Sequence, residues 1–192
     1  MGWELLERGK KDSQDEREQK NYQAKLLALF YEELLVPWFK KEGYLCKAQP
    51  SIYDKNGKRR RYDYWLEKDG KHYIVEAKCH LEPTERPLNG DILKKWKNES
   101  FREFLEKDFL KKYEFRAKGE PKRHPTGKIL VWWDHDKSQL QSMKENYKID
   151  EIFSIKGILN DLKKESNKEY RKVLGKYSKW ANDLFEMLLA TD

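Results

Sequence analysis

The sequence predicts an α/β domain in which a mixed β-sheet, an antiparallel meander plus added strands, is flanked by helices. Three observations predict it. Leu26, Leu27, Phe30, Leu34 and Trp38 recur at helical spacing, the dipeptides Asn56-Gly57 and Asp69-Gly70 punctuate a β-rich block, and Ile129-Leu130-Val131-Trp132-Trp133 has the length of a buried strand.

Taken in order, residues 1–20 hold mixed charge with almost nothing apolar after Leu6, which predicts a solvated arm outside the main core. Residues 21–192 then form a single domain ending in a helical region. Its first helix runs from Asn21 to about Glu42; Pro37 should kink or end it, and Gly43 marks the exit. The two turn signals divide the next block into strands near 47–54, 60–67 and 72–79, an antiparallel meander. Pro83, Pro87 and Gly90 predict a loop, and a helix is expected from Asp91 to about Arg116. After the basic loop 118–124 come the buried strand at 129–133 and a short strand at 152–155. The last helical region spans Gly157 to Leu189, continuous or broken near Gly175.

Composition narrows the function classes. The chain has 192 residues, 41 Lys+Arg against 34 Asp+Glu, a net charge of +7, and 39% charged residues. So much charge would suit a disordered chain, but 7 Trp, 11 Tyr and 8 Phe argue for a folded aromatic core. Two cysteines, Cys46 and Cys79, exclude a disulfide scaffold, a four-cysteine zinc site and an all-cysteine iron–sulfur cluster. No apolar run approaches the ~20 residues of a membrane span and the N-terminus lacks a leader pattern, so a cytoplasmic chain with no membrane partner is expected. The positive excess makes nucleic acid the default partner.

The most informative stretch is Tyr62-Asp63 followed by Ile74-Val75-Glu76-Ala77-Lys78. If Asp69-Gly70 is a two-residue turn, Lys68 pairs with Lys71 and Asp63 falls directly across from Glu76. Like charges opposed in this way sit about 5 Å apart and repel. A divalent cation such as Mg²⁺, which favours carboxylate oxygens, would offset that repulsion. Strand alternation puts Lys78 on the same face as Glu76. A solvated charge ladder would explain these residues too, but Trp65 and Ile74 share the face and need cover. The opposite face carries Tyr62, Tyr64, Leu66, Tyr73, Val75 and Ala77 as an expected core layer. On the first helix, Glu33 lies at the flank of the apolar stripe, where it either reaches solvent or a lysine, or faces a metal site.

An Asp, a short hairpin, then Glu-x-Lys on the next strand, preceded by a helix with an inward Glu, resembles the PD-(D/E)XK nuclease superfamily. The resemblance covers roughly residues 21–156 and implies a restriction endonuclease-like core. Tyr62 stands where the Pro of the family's pattern would be, a position that supplies no ligand. By this resemblance Asp63 and Glu76 would bind Mg²⁺ or Mn²⁺, with the Ala77 carbonyl as a further ligand and Glu33 completing the shell directly or through water. Lys78 would orient and help deprotonate the attacking water, or stabilise charge in the transition state. The implied activity is Mg²⁺-dependent DNA endonuclease cleavage, of restriction or defence type, or of junction or repair type. A non-catalytic DNA-binding or scaffold protein retaining the fold is the alternative, and a ribonuclease the third reading. One site cuts one strand, which leaves room for a homodimer.

DNA would be held first by the basic cluster around the first hairpin turn, Lys55, Lys58, Arg59, Arg60 and Arg61, with Arg61 facing Lys78 in the same register. The basic loop at Lys118 to Arg123 and the last helix read better as solvated faces. So does the turn Asp134-His135-Asp136, despite its metal-like composition. His72 is expected to be exposed near its turn, and Cys79 to be a small buried side chain.

Overall fold

In the computed structural model, residues 33–78, 88–95, 97–116, 121–164 and 168–189 are described. The arm at 1–20, the start of the first helix, Cys79, His80 and residues 117–120 of the basic loop lie outside them.

The first described element is helix α1, residues 33–41. Leu34, Leu35, Trp38 and Phe39 are buried. The helix does not end at Pro37, whose ring nitrogen forfeits only the single bond it would make to residue 33. It stops where Gly43 adopts φ +84°, with the N–H groups of Gly43 and Tyr44 donating to the Lys40 and Phe39 carbonyls.

Five strands form the main sheet: β1 (Leu45–Ala48), β4 (Tyr64–Lys68), β5 (Lys71–Lys78), β7 (Gly127–Trp132) and β8 (Glu151–Ser154), in the spatial order β1-β4-β5-β7-β8. The β1, β4 and β5 neighbours are antiparallel, whereas β5, β7 and β8 run parallel. A second antiparallel sheet, order β3-β2-β6, contains β2 (Ile52–Asp54), β3 (Arg59–Arg60) and β6 (Tyr113–Phe115). Helices α2 (Gly90–Lys95) and α3 (Glu99–Leu105) precede a 3₁₀ turn at Phe109–Lys111. Helices α4 (Leu140–Tyr147), α5 (Ile155–Lys164) and α6 (Lys168–Leu189) complete the order. The protein is therefore α/β, with a mixed five-stranded sheet and a small antiparallel sheet flanked by helices.

Several expectations are corrected by local chemistry. The strand expected at 47–54 splits in two, because Gln49 turns to φ +46° before Pro50, which has no N–H for a ladder. The first half pairs in the main sheet and the second in the small one. The helix expected from Asp91 to Arg116 is interrupted by Asn98, whose side chain caps α3 by accepting from the Phe101 N–H at 3.0 Å. Its last residues become β6. Helix α4 falls where no element was expected, and α6 runs through Gly175 unbroken.

The main sheet separates two apolar layers. Tyr64, Leu66, Val75, Ile129 and Val131 face Leu35, Phe39, Ile155 and Ile158, packing α1 and α5 on one side. Trp65, Ile74, Leu130 and Trp132 face Phe101, Phe104 and Phe109 on the other. Tyr62, expected with Tyr64, belongs instead to the second layer. The chain bends at Asp63, just before β4, so strict alternation does not extend back to residue 62.

Candidate metal and phosphodiester site

The Asp69-Gly70 turn sets the site. Both residues take positive φ, +50° and +71°, as a two-residue hairpin turn with the right twist requires. Lys68 then pairs with Lys71 and the ladder runs back to Tyr64 opposite Val75, as the turn predicts. There it ends. The Asp63 N–H also reaches the Val75 carbonyl, at 3.2 Å, so Asp63 is a bend residue and does not form a strand pair with Glu76.

The carboxylates come together by a different bond. Asp63 Oδ2 accepts the Ala77 N–H at 2.6 Å, so the side chain replaces the backbone acceptor that a longer strand would have offered. The Asp63 carbonyl accepts from the Gln49 N–H at 2.8 Å and ties the bend to the corner after β1. Glu76 is 5% exposed, between Ile74 and Lys78 on the face that packs Leu130 and Trp132. Burial, and then the neighbouring charge of Asp63, push its carboxyl up to about 7, against the opposing pull of Lys78. Lys78 Nζ donates to Glu76 Oε1 and lies 5.4 Å from the centre of the Phe101 ring. Asp63, Glu76, Ala77 and Lys78 are thus gathered at the C-terminal end of β5, beside its parallel neighbour β7. In open sheets, ligands bind at such strand ends.

Comparisons with known proteins give little to set beside this geometry. No family model matches the chain, and no curated protein matches it. Among solved structures, the chain is similar to the crystal structure of a protein of unknown function, AF1548, at 17% identity and a TM-score of 0.44. The match covers 69% of this chain and 66% of that one, just under two thirds of its length.

Glu33 is not gathered with the pair. It is an ion-pair partner of Lys176 on α6 at 2.6 Å, and among the described residues no group of three or more His, Cys, Asp or Glu is arranged to hold a metal. Its place at the edge of the apolar stripe leads to a lysine, the alternative that the helix geometry left open.

The basic cluster divides. Lys58, Arg59 and Arg61 are exposed, whereas Arg60 lies 3.9 Å from Asp54 and 3.7 Å from Glu103 in ion pairs. Arg60 is therefore held by carboxylates. Arg61 is not in register with Lys78, because the ladder stops at Tyr64. The Asn56-Gly57 turn also differs from expectation: only Gly57 has positive φ, and Asp54 Oδ1 accepts from the N–H groups of Asn56 and Lys58.

Asp134 and Asp136 behave as turn residues. Asp134 accepts from the His135 N–H and pairs with Lys156, and Asp136 binds Ser138. His72 is half-buried, stacked on Trp65 with ring centres 5.5 Å apart. Sequence reasoning missed Phe101 as a neighbour of the site and put Tyr62 on the wrong face. Phe101 lies under the Lys78 ammonium, and Tyr62 packs edge-on to Phe109 and Tyr113 at 5.3 and 5.7 Å.

It also missed Lys128, which is 1% exposed at the other end of the same strand pair. Its Nζ donates to the carbonyls of Phe104 (2.8 Å), Glu106 (3.0 Å) and Tyr147 (2.6 Å). Burial pulls this ammonium down to about 8, with Asp150 opposing, so it remains charged at neutral pH. The signal was a lysine inserted directly before an apolar run.

Proposed function

We propose that the chain is a metal-dependent DNA endonuclease with a restriction endonuclease-like core, hydrolysing phosphodiester bonds at Asp63, Glu76 and Lys78. The observation that carries this reading is Glu76: a carboxylate held 5% exposed next to a second carboxylate, with its protonation pushed to about 7. A merely structural position would not retain two acids side by side at a partly buried strand end.

The donor set fits a divalent cation, since Asp63 and Glu76 offer hard carboxylate oxygens and their repulsion is relieved by positive charge. Mg²⁺ or Mn²⁺ bound there would supply Lewis-acid stabilisation of charge on the scissile phosphate. The chain's own residues do the rest. Asp63 is oriented by the Ala77 N–H, which fixes the carboxylate and the Ala77 peptide together. Lys78, held on Glu76, presents an ammonium to orient water or to stabilise the developing negative charge. Trp132, opposite Lys78 on β7, and Phe101, beneath its ammonium, form the apolar side of the site.

Plasmid nicking in Mg²⁺ or Mn²⁺, suppressed by EDTA, is the expected result. Duplex, single-stranded and branched DNA assayed in parallel, with RNA alongside, would identify the substrate. A non-catalytic DNA-binding or scaffold protein is the second reading. The observation favouring it is the direct Lys78 to Glu76 pair, which compensates Glu76 without a cation. Absence of cleavage on every substrate, with DNA binding retained, would decide for it.

A further inference from the structure

The small sheet carries a cleft that the proposed catalytic site does not use. Lys55 enters it from the β2–β3 turn, Lys111 and Lys112 from the 3₁₀ turn, Arg116 from the end of β6, and Lys122 from the segment beyond. Glu114 is the one carboxylate in its lining.

Three of the five cations are held by carboxylates. Arg116 lies on the Tyr53 ring at 5.0 Å and pairs with Glu114, which Lys122 also approaches at 3.5 Å. Lys112 is anchored outside the cleft by Glu106 and by Asp108 at 3.6 Å. Lys55 and Lys111 are exposed, and among the described residues neither takes part in an ion pair. With Lys112 answered outside the cleft and Glu114 shared by Arg116 and Lys122, Lys55 and Lys111 add positive charge that the lining does not offset, and an entering anion would relieve it. The cleft measures about 260 Å³ and is lined by charge, whereas pockets for organic ligands are larger and mostly apolar. Those features favour a phosphate group on a polymer over a metabolite.

We infer that this cleft is a docking site for the phosphodiester backbone of DNA, gripping phosphates that flank the one being cut. The inference rests on the endonuclease reading for its substrate, and it adds where the flanking duplex is held. Tyr113, one wall of the cleft, packs its ring against Tyr62, the residue next to Asp63. The cleft therefore connects through two packed rings to the residue beside Asp63, and its lining includes neither member of the acidic pair. Lys58 and Arg59, exposed on the same hairpin as Lys55, extend the positive surface.

The test uses the full chain with Lys55→Gln, Lys111→Gln and Lys122→Gln combined, three exposed positions whose replacement should leave the melting curve unchanged. Binding of a labelled DNA duplex is followed by fluorescence anisotropy in EDTA, where no cleavage occurs. The triple variant should bind about tenfold more weakly at ~0.1 M salt, and its log–log salt slope should shrink by about 2 to 3. A second triple, Lys163→Gln, Lys164→Gln and Lys172→Gln on α5 and α6, removes the same charge elsewhere and should change affinity less than about twofold. Equal losses in the two triples, no loss in the first, or no binding by the unmodified protein would overturn the cleft. Preferential displacement of the DNA by an unlabelled RNA duplex would overturn its assignment to DNA. If the unmodified chain binds DNA through the cleft but never cuts it, the endonuclease reading fails and the cleft stands. In an active protein the first triple should raise KM and leave kcat within about twofold, as expected for binding outside the reacting centre.

Discussion

Strands β5 and β7 each bury one charged side chain on the same side of the main sheet, Glu76 at 5% exposure and Lys128 at 1%. The two sites are built to opposite plans. Lys128 has three N–H donors and three backbone carbonyls, two from the C-terminal end of α3 and one from that of α4, where the helix dipoles also favour a cation. Glu76 has one cationic partner and a second carboxylate close enough to raise its proton affinity. One charge is fully answered and closes its end of the strand pair. The other pairs with Lys78 but also faces Asp63, the arrangement on which the proposed cation site rests. Burial of a charge therefore does not mark function by itself; the proposed site rests on the second carboxylate beside Glu76 and not on burial alone.

The largest test of that contrast is activity. Asp63→Ala, Glu76→Ala or Lys78→Ala should each lower plasmid cleavage by at least about 100-fold while duplex binding stays near the unmodified value. Native-rate cleavage by any one of them would remove that residue from the mechanism. At the other end, Lys128→Met should strand three carbonyls and cost about 3 kcal/mol or more in urea unfolding, with cleavage per folded molecule unchanged. A stable but inactive Lys128→Met protein would invert the comparison.

The two ends should also differ with pH. The Glu76 carboxyl, at about 7 in the folded chain, lies above its ordinary value of 4.5, so the folded state holds the extra proton between those values. Its contribution to stability is complete below about pH 4.5 and is lost as pH rises through 7, by on the order of 3 kcal/mol at most. Urea midpoints across this range, without metal, should show that slope in the unmodified protein and a flatter one in Glu76→Gln; identical slopes would assign the effect to another group. Added Mg²⁺ should raise the melting temperature at about pH 8 by roughly 4 °C through linkage, and not in Asp63→Asn. Smallest of all, Lys176→Ala should cost less than about 1 kcal/mol, because both partners of its pair with Glu33 are substantially exposed. Glu33→Ala should cleave within about twofold of the unmodified chain, and a large loss would return Glu33 to the metal shell.

The contrast also shows how far the sequence could be read. Asp69-Gly70 fixed its turn type because both residues accept positive φ, and the register followed by counting. Asn56-Gly57 looks alike on paper, yet the Asp54 side chain organises that loop and leaves only Gly57 in the left-handed region. Asp63 and Glu76 could be brought together by strand arithmetic, although the bond that joins them, Asp63 to the Ala77 N–H, lies beyond the ladder. Glu33 shows the limit of a helical wheel, which gives direction but not the lysine that arrives from α6, 143 residues later. Strand β6 was hidden for a similar reason: Tyr113-Glu114-Phe115 alternates over only three residues, and its partner β2 is distant in sequence. The role of Lys128 was hidden because its acceptors are backbone atoms of two segments distant from it in sequence.

The bend at Asp63 has a consequence for the order in which the molecule assembles. Asp63 and Glu76 belong to one hairpin, whose closure is local and fast, whereas β7 and the Phe101 helix reach that hairpin only after a long crossover is closed. The two acids should therefore meet while still hydrated and lose their water late, as Trp132 and Phe101 dock. The electrostatic cost of the site then falls after the folding transition state. Relieving it by Glu76→Gln should slow unfolding and leave the folding rate nearly unchanged, an outcome visible in the two arms of a chevron.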